Sequence, residues 1–226
     1  MTSAACFDLD GCIIDSRAAI LPSVRVALVP HGLDDLPDEE LRGLIGPPLD
    51  SGFADLLATH GRDPGLAPSV VVAYRQDYAL HMLDRTTLFP GMGEAVARIA
   101  EVRPACVVTS KPAAFAQPIL EHLGLSSSLA FVEGPSIDSS DEPKKVTLAR
   151  ALERLGPAAA GAVMVGDRHH DVDAGKAHGL RTVGVLWGIG DADELRRAGA
   201  DDLVATPDAL VAVSYTHLTL PTNREV

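Results

Sequence analysis

Basic charge is scarce in this chain, and lysine is the scarcest part of it. Of 226 residues only 19 are Lys or Arg, against 31 Asp or Glu, for a formal net charge of −12. That balance supplies no basic face for wrapping a nucleic acid polymer or an anionic membrane. No run of about 18 apolar residues is free of charge or proline, and no basic-then-apolar leader opens the sequence, so it reads as soluble with no membrane partner. There are only three cysteines, Cys6, Cys12 and Cys106. An odd number, two of them in or beside expected strands, suits buried free thiols in a reducing cytoplasm better than disulfides. Internal repeats and low-complexity segments are absent. Lysine occurs only at positions 111, 144, 145 and 176, so each of these sites is informative.

What the chain does have is length enough for one core plus a smaller insertion. Its organising stretch is the first apolar run, Ala4-Ala5-Cys6-Phe7, which leads into Asp8-Leu9-Asp10-Gly11 and then Cys12-Ile13-Ile14-Asp15-Ser16. Read as a strand, a period of two puts Asp8 and Asp10 on one face, roughly 6–7 Å apart. Two carboxylates at the end of a buried strand repel each other, so something positive belongs between them. A hard, oxygen-seeking cation such as Mg²⁺ fits that demand. Gly11 lets the backbone turn away without crowding the pair.

The stretch from Asp8 to Ser16 resembles the first motif of the haloacid dehalogenase superfamily, in its phosphatase branch. The resemblance implies three further segments, in order, each just beyond a strand. Ala105-Cys106-Val107-Val108 reads as a short buried strand ending in Thr109-Ser110-Lys111-Pro112, where the family places a Thr or Ser. The Thr109 hydroxyl and the amides that follow, Ser110 included, would grip phosphate oxygens. Lys144 and Lys145 open a helix, where a cation is electrostatically misplaced unless something anionic compensates it. The family has one lysine at this point, and the spacing to Ala151-Leu152 favours Lys144, with Lys145 as the alternative. Ala162-Val163-Met164-Val165 is a strand ending in Gly166-Asp167, with Asp171 four residues on. This matches the fourth segment, with Asp167 as a direct metal ligand and Asp171 in a water-mediated or supporting place. Arg168, His169 and His170 read as polar loop.

Between Ser16 and Phe89 the pattern is helical. Ile20, Leu21, Val24, Ala27 and Leu28 share one face, and Asp38-Glu39-Glu40 open a second helix. Phe53, Leu56 and Leu57 mark a third, and Val71, Tyr74, Tyr78 and Met82 a fourth. A helical insertion here resembles the small cap that this family places over its active site. By position, the Gly46-Pro47-Pro48-Leu49 loop and Arg75 face the substrate. From Gly91 onward strands and helices alternate, with Ala130-Phe131-Val132 as a further strand and residues 134–142 as an exposed loop.

The expected fold is therefore α/β, a doubly wound parallel, Rossmann-like sheet with a small all-helical cap inserted after the first strand. Residues 1–16 and 89–213 form the core and 17–88 the cap. Residues 214–226 contain no Ala, Gly or Asp, although the preceding chain is rich in all three. They resemble the translation of a sequencing-library adaptor joined to a truncated gene, and are set aside as non-native, with the natural C-terminal helix cut short.

The resemblance implies an aspartyl-phosphate mechanism with Asp8 as nucleophile, Asp10 as proton donor and acceptor, and Lys144 offsetting charge. Mg²⁺ would be held by Asp8, Asp10 (through its backbone carbonyl), Asp167 and Asp171. Asp10 favours phosphate chemistry over dehalogenation. The absence of any lysine between Ser16 and Phe89 leaves out the phosphonate hydrolases and sugar phosphomutases of the superfamily. What remains is hydrolysis of a small phosphorylated metabolite by a cytoplasmic monomer or homodimer, similar to phosphoglycolate phosphatases and to bacterial 5′-nucleotidase-like phosphatases. Arg75 or Arg42 gripping a carboxylate would suit the first, and Tyr74 or Tyr78 stacking on a base the second. The alternatives are a non-catalytic phosphate-binding module on the same fold, or another hydrolase of the superfamily such as a pyrophosphatase.

Overall fold

The computed structural model describes residues 2–46, 48–139 and 141–216. The first apolar run forms β1 (Ala5–Phe7), and Asp8 lies just beyond its end. A tight turn follows, in which the Leu9 carbonyl accepts the amides of Cys12, Ile13 and Ile14. This corrects the expectation that Asp8 and Asp10 alternate along one strand. The backbone leaves the sheet after Phe7 and turns at Gly11, whose φ of 85° is open to glycine at little cost.

After β2 (Ile14–Asp15) come the inserted helices α1 (Arg17–Leu28), α2 (Asp38–Leu41), α3 (Leu49–Thr59) and α4 (Ala67–His81). The second is a single turn, shorter than its acidic start suggests, because Arg42–Leu44 tightens into a 3₁₀ turn. α4 buries Val70, Val71, Tyr74 and Tyr78, a spacing of three and four residues that makes one apolar stripe, and packs it on α1. The hydroxyl of Ser23 on α1 donates to Asp77 on α4 at 2.7 Å. β3 (Thr87–Leu88) then pairs antiparallel with β2, so the chain enters and leaves the insertion through a two-stranded ribbon. Sequence periodicity did not suggest this ribbon, since two-residue strands are too short to show a period of two.

The remainder alternates: α5 (Met92–Ala100), β4 (Ala105–Val108), α6 (Ala113–His122), β5 (Val132–Glu133), α7 (Lys144–Leu155), β6 (Val163–Gly166), α8 (His169–Ala177), β7 (Arg181–Val185), α9 (Ala192–Ala198), β8 (Asp202–Val204) and α10 (Pro207–Thr216). Three local expectations change. β5 starts two residues later than its apolar run. His169 and His170 open α8 instead of lying in a loop, because the Asp171 carboxylate accepts the Arg168 amide at 3.0 Å and closes the first turn. The 134–142 stretch is not uniformly exposed: Pro135 is buried, and Glu142 accepts from Thr147 and Arg150 at 2.7 and 2.6 Å. Of the expected tail, residues 214–216 continue α10, with Ser214 buried and the Tyr215 hydroxyl donating to the Arg98 carbonyl. Residues 217–226 lie outside the described residues.

The six-stranded sheet has the order β5-β4-β1-β6-β7-β8, with every pairing parallel. This is the expected Rossmann-like architecture with a helical cap. β1 is fully buried and lies between β4 and β6, so strands from two distant parts of the chain flank it on either side. In such sheets the crevice opens at the carboxyl ends of the strands where the winding reverses, here the ends of β1, β4 and β6. Register sets the two faces: Phe7 lies beside Val107 and Val165 in the larger core, and Cys6 beside Cys106 and Met164 in the smaller. Cys6 and Cys106 are free thiols with sulfurs 3.6 Å apart. Among the described residues no helix is long and apolar enough to cross a membrane.

Phe7 is fully buried immediately before Asp8. Phe7→Ala is expected to cost about 3–5 kcal/mol of stability, the range for emptying an aromatic core site. The midpoint of urea unfolding would show it; a shift below about 1 kcal/mol would mean the sheet centre is not packed as described.

Candidate active site

The ends of β1 and β6 and the start of α7 deliver Asp8, Asp167 and Lys144 to a common point, and Thr109, at the end of β4, lines the same cavity as Asp8. The Asp8 amide donates to the Val165 carbonyl at 2.8 Å, which holds the residue at the sheet edge as the strand ends. Its carboxylate accepts from the Lys144 ammonium at 2.5 Å, and the same ammonium pairs with Asp171. Lys144 is the first residue of α7 and is buried, whereas Lys145 beside it is exposed. The misplaced cation at this helix start is thus compensated by two carboxylates.

Asp167 follows β6 and is fully buried. One of its oxygens, Oδ2, accepts the Ile189 amide at 2.7 Å and the Gly190 amide at 3.4 Å, while Oδ1 has no hydrogen-bond partner. Ligand atoms of Asp8, Asp167 and Asp171 all lie within 4.8 Å of one another. Gly11 belongs to this cluster by absence, since a Cβ there would come within 2.2 Å of Asp167 Oδ2. Sequence reasoning missed the Ile189 and Gly190 amides, because backbone donors leave no residue-type signature.

Burial, and then the neighbouring Asp171 charge, push the Asp8 carboxyl well above the usual carboxylate range. The same two causes push Asp167 up to about 7. Burial works against the Lys144 charge, but Asp171 and Asp8 outweigh it and hold the ammonium protonated. A buried carboxylate oxygen without a donor, in an oxygen-only set with excess negative charge, fits a hard divalent cation.

Asp10 is not part of this cluster through its side chain. Its Oδ1 accepts from Ser16 Oγ at 2.5 Å and from Lys111 Nζ at 2.9 Å. The expectation of one cation between Asp8 and Asp10 is corrected here: the carboxylates that complete the cluster with Asp8 come from Asp167 and Asp171, and Asp8 and Asp10 each face their own lysine. Lys111 was unassigned in the sequence, although its rarity and its place directly after Thr109-Ser110 were available signals.

Asp8 and Asp10 line a cavity of about 60 Å³, lined also by Thr109, Ser110, Lys111, Gly46 and Arg75. The Thr109 hydroxyl accepts the Lys111 amide at 3.0 Å. α6 starts only at Ala113, so no helix amide directly follows Thr109. Gly46 has a φ of 104°, and Pro47 lies outside the described residues. Arg75 Nε and Nη2 are buried without a partner. Arg42 does not reach the cavity; it lines a surface depression beside Arg17 and Arg25. Tyr74 and Tyr78 also line the cavity but stack on each other with centroids 5.4 Å apart, and Tyr78 meets the edge of Phe115. Arg168 ties the two parts of the chain together, donating to Glu194 on α9 and to the Ile45 carbonyl in the insertion.

The chain is 41% identical over 193 residues to the tyrosine-protein kinase PtkA of Mycobacterium tuberculosis, covering 83% of this chain but 63% of that kinase, so it spans under two thirds of that relative's length. It is 32% identical to a 5′-nucleotidase of Pseudomonas aeruginosa, covering 93% of this chain and 95% of the relative. A predicted phosphatase from Clostridium acetobutylicum has a solved structure that superposes with a TM-score of 0.88 at 28% identity, covering 96% of this chain and 99% of that one. Residues 5–185 match the haloacid dehalogenase-like hydrolases, and the chain belongs to that family.

Proposed function

We propose that the chain is a Mg²⁺-dependent phosphatase that hydrolyses a small phosphomonoester through phosphorylation of Asp8. The observation that carries this reading is the Asp8 carboxylate at the mouth of the cavity, held by a buried ammonium and backed by two further carboxylates. A carboxylate attacks a phosphate dianion only where their mutual repulsion is offset. Lys144 supplies part of that offset. Asp8, Asp167, Asp171 and the Asp10 backbone carbonyl would hold Mg²⁺, which when bound neutralises charge on the phosphate oxygens. The partnerless Asp167 Oδ1 supports a direct ligand role, and the engagement of Asp171 by Lys144 and the Arg168 amide supports a supporting one.

In this reading Asp10 gives its proton to the leaving oxygen as the P–O bond breaks. It then takes a proton from the water that attacks the aspartyl-phosphate, releasing phosphate and free Asp8. Thr109 and Ser110 hold phosphate oxygens. Residues 17–88 act as a cap that excludes water, and Gly46 and Arg75 contact the rest of the ester. The stacked tyrosines leave less room for base stacking than the sequence suggested, which favours a small acid such as phosphoglycolate over a nucleotide. The three free cysteines support a reducing, cytoplasmic setting, with the chain acting as monomer or homodimer.

A second reading, phosphoryl transfer to a tyrosine hydroxyl, is favoured by the 41% identity to a tyrosine-protein kinase. Incubation with labelled ATP and a tyrosine peptide separates the two: labelled peptide supports transfer, and release of inorganic phosphate from a panel of small esters supports hydrolysis. Asp8→Asn is the control. Turnover of none of them would leave a binding module.

Lys144→Ala is expected to slow kcat by roughly 10²–10³-fold, the scale of losing one preorganised charge partner. An undiminished rate would remove Lys144 from the chemistry. The metal reading has a stability test. Asp8 and Asp167 both have raised pKa values in the folded protein, so folding binds protons at this site, and the Asp167 contribution is lost as pH rises through about 7. Mg²⁺ should therefore raise the melting temperature more at pH 8 than at pH 5.5, where protons already neutralise the cluster. A shift equal at both values, or none, would count against a cation among these carboxylates.

A further inference from the structure

Lys111 sits where three parts of the chain meet. Its side chain is only 7% exposed, and its ammonium lies 2.9 Å from Asp10 Oδ1 and 2.8 Å from the hydroxyl of Tyr78 on α4. The backbone that carries it is held closely. Its amide donates to Thr109 Oγ1, and a Cβ at Gly134 would come within 2.5 Å of its carbonyl oxygen. A long flexible side chain on so fixed an anchor, with both of its partners buried, has little freedom to leave Asp10.

The consequence is a choice between the two oxygens of Asp10. Oδ1 already accepts from Ser16 and Lys111, and among the described residues the carboxylate accepts no other hydrogen bond. Asp10 lines the cavity, so Oδ2 is the oxygen left for a reacting group. Tyr78 ties this arrangement to the insertion. Its ring stacks on Tyr74 and meets the edge of Phe115 on α6, so its hydroxyl stands over Lys111 only while α4 is seated against the core.

We infer that Lys111 is a positioning residue for proton transfer. It pins Asp10 by Oδ1 so that Oδ2 faces the leaving oxygen, and through Tyr78 it makes that pinning depend on α4 covering the cavity. The inference rests on the phosphatase reading above. In the step it serves, the bond from Asp8 to phosphorus forms, the bond from phosphorus to the ester oxygen breaks, and the proton on Asp10 passes to that oxygen, which leaves as a neutral alcohol. Lys111 keeps its own protons throughout.

A leaving group that is stable as an anion needs no such proton, and this supplies the test. The Mg²⁺-loaded wild type, Lys111→Met and Tyr78→Phe are compared by kcat/KM on phosphoglycolate or, if that is a poor substrate, glycerol phosphate, and on p-nitrophenyl phosphate. This ratio reports the transfer to Asp8 and not the later hydrolysis. Lys111→Met is expected to lower kcat/KM on the alkyl ester by about 10²-fold, the lower end of what general acid catalysis contributes, and to leave p-nitrophenyl phosphate within a few fold. Tyr78→Phe keeps the ring stack and removes only the hydroxyl. It should move the alkyl ester in the same direction by about tenfold, the factor for one hydrogen bond to a charged group, and it carries the test should Lys111→Met fail to fold. Equal losses on both esters, no loss, or a raised KM at unchanged kcat would overturn the inference, the last by making Lys111 a substrate contact. A wild type that cleaves none of these esters would instead remove the phosphatase reading, and this inference with it.

Discussion

The Lys144 ammonium between Asp8 and Asp171 is the contact on which the site depends. Burying a carboxylate is costly, and burying three within 4.8 Å of one another is more so, unless positive charge is built in beside them. One lysine at a helix start answers part of that demand, and its placement there is tolerable only because the carboxylates outweigh the unfavourable helix end. Burial, and after it the charge of Asp171, raises the proton affinity of Asp8 and Asp167, and the excess negative charge fits the cluster to a divalent ion.

That geometry is inherited from the sheet. Because β1 lies between β4 and β6, residues 8, 109 and 167, each just past a strand end, arrive at one edge although they are far apart in the chain. Glycines make the approach possible. Gly11 leaves room for Asp167, and Gly166 leaves room for Asp171, whose Cγ would lie 2.1 Å from a Cβ there. The inserted helices close the other side of the cavity and are joined to the core through polar contacts that include Tyr78 to Lys111 and Arg168 to the Ile45 carbonyl. The carboxylate cluster therefore rests on strand ends, while the opposite wall of the cavity belongs to a separate set of helices entered through a short ribbon.

The fold class and the placing of Asp8 and Asp167 were legible in the chain because each of these residues follows an apolar run and stands near a glycine, while Lys144 and Asp171 were singled out by the resemblance of their segments to the family. Such patterns report a strand end directly, and a doubly wound sheet brings strand ends together with little further information. Helix α4 was equally legible from its stripe of Val71, Tyr74 and Tyr78.

What the chain alone left open was decided by packing across long sequence separations. It offered Lys144 and Lys145 as neighbours on one helix, and only the docking of α7 against α8, β4 and β5 buries the first and exposes the second. It placed Asp8 and Asp10 on a common face, whereas the chain leaves the sheet after Phe7 and the two carboxylates face different lysines, one of them, Lys111, 101 positions from its partner Asp10. The identity of a side chain is a local property, but which charge it faces is set by the whole sheet, and electrostatic partnership of that kind has no signature in neighbouring residues.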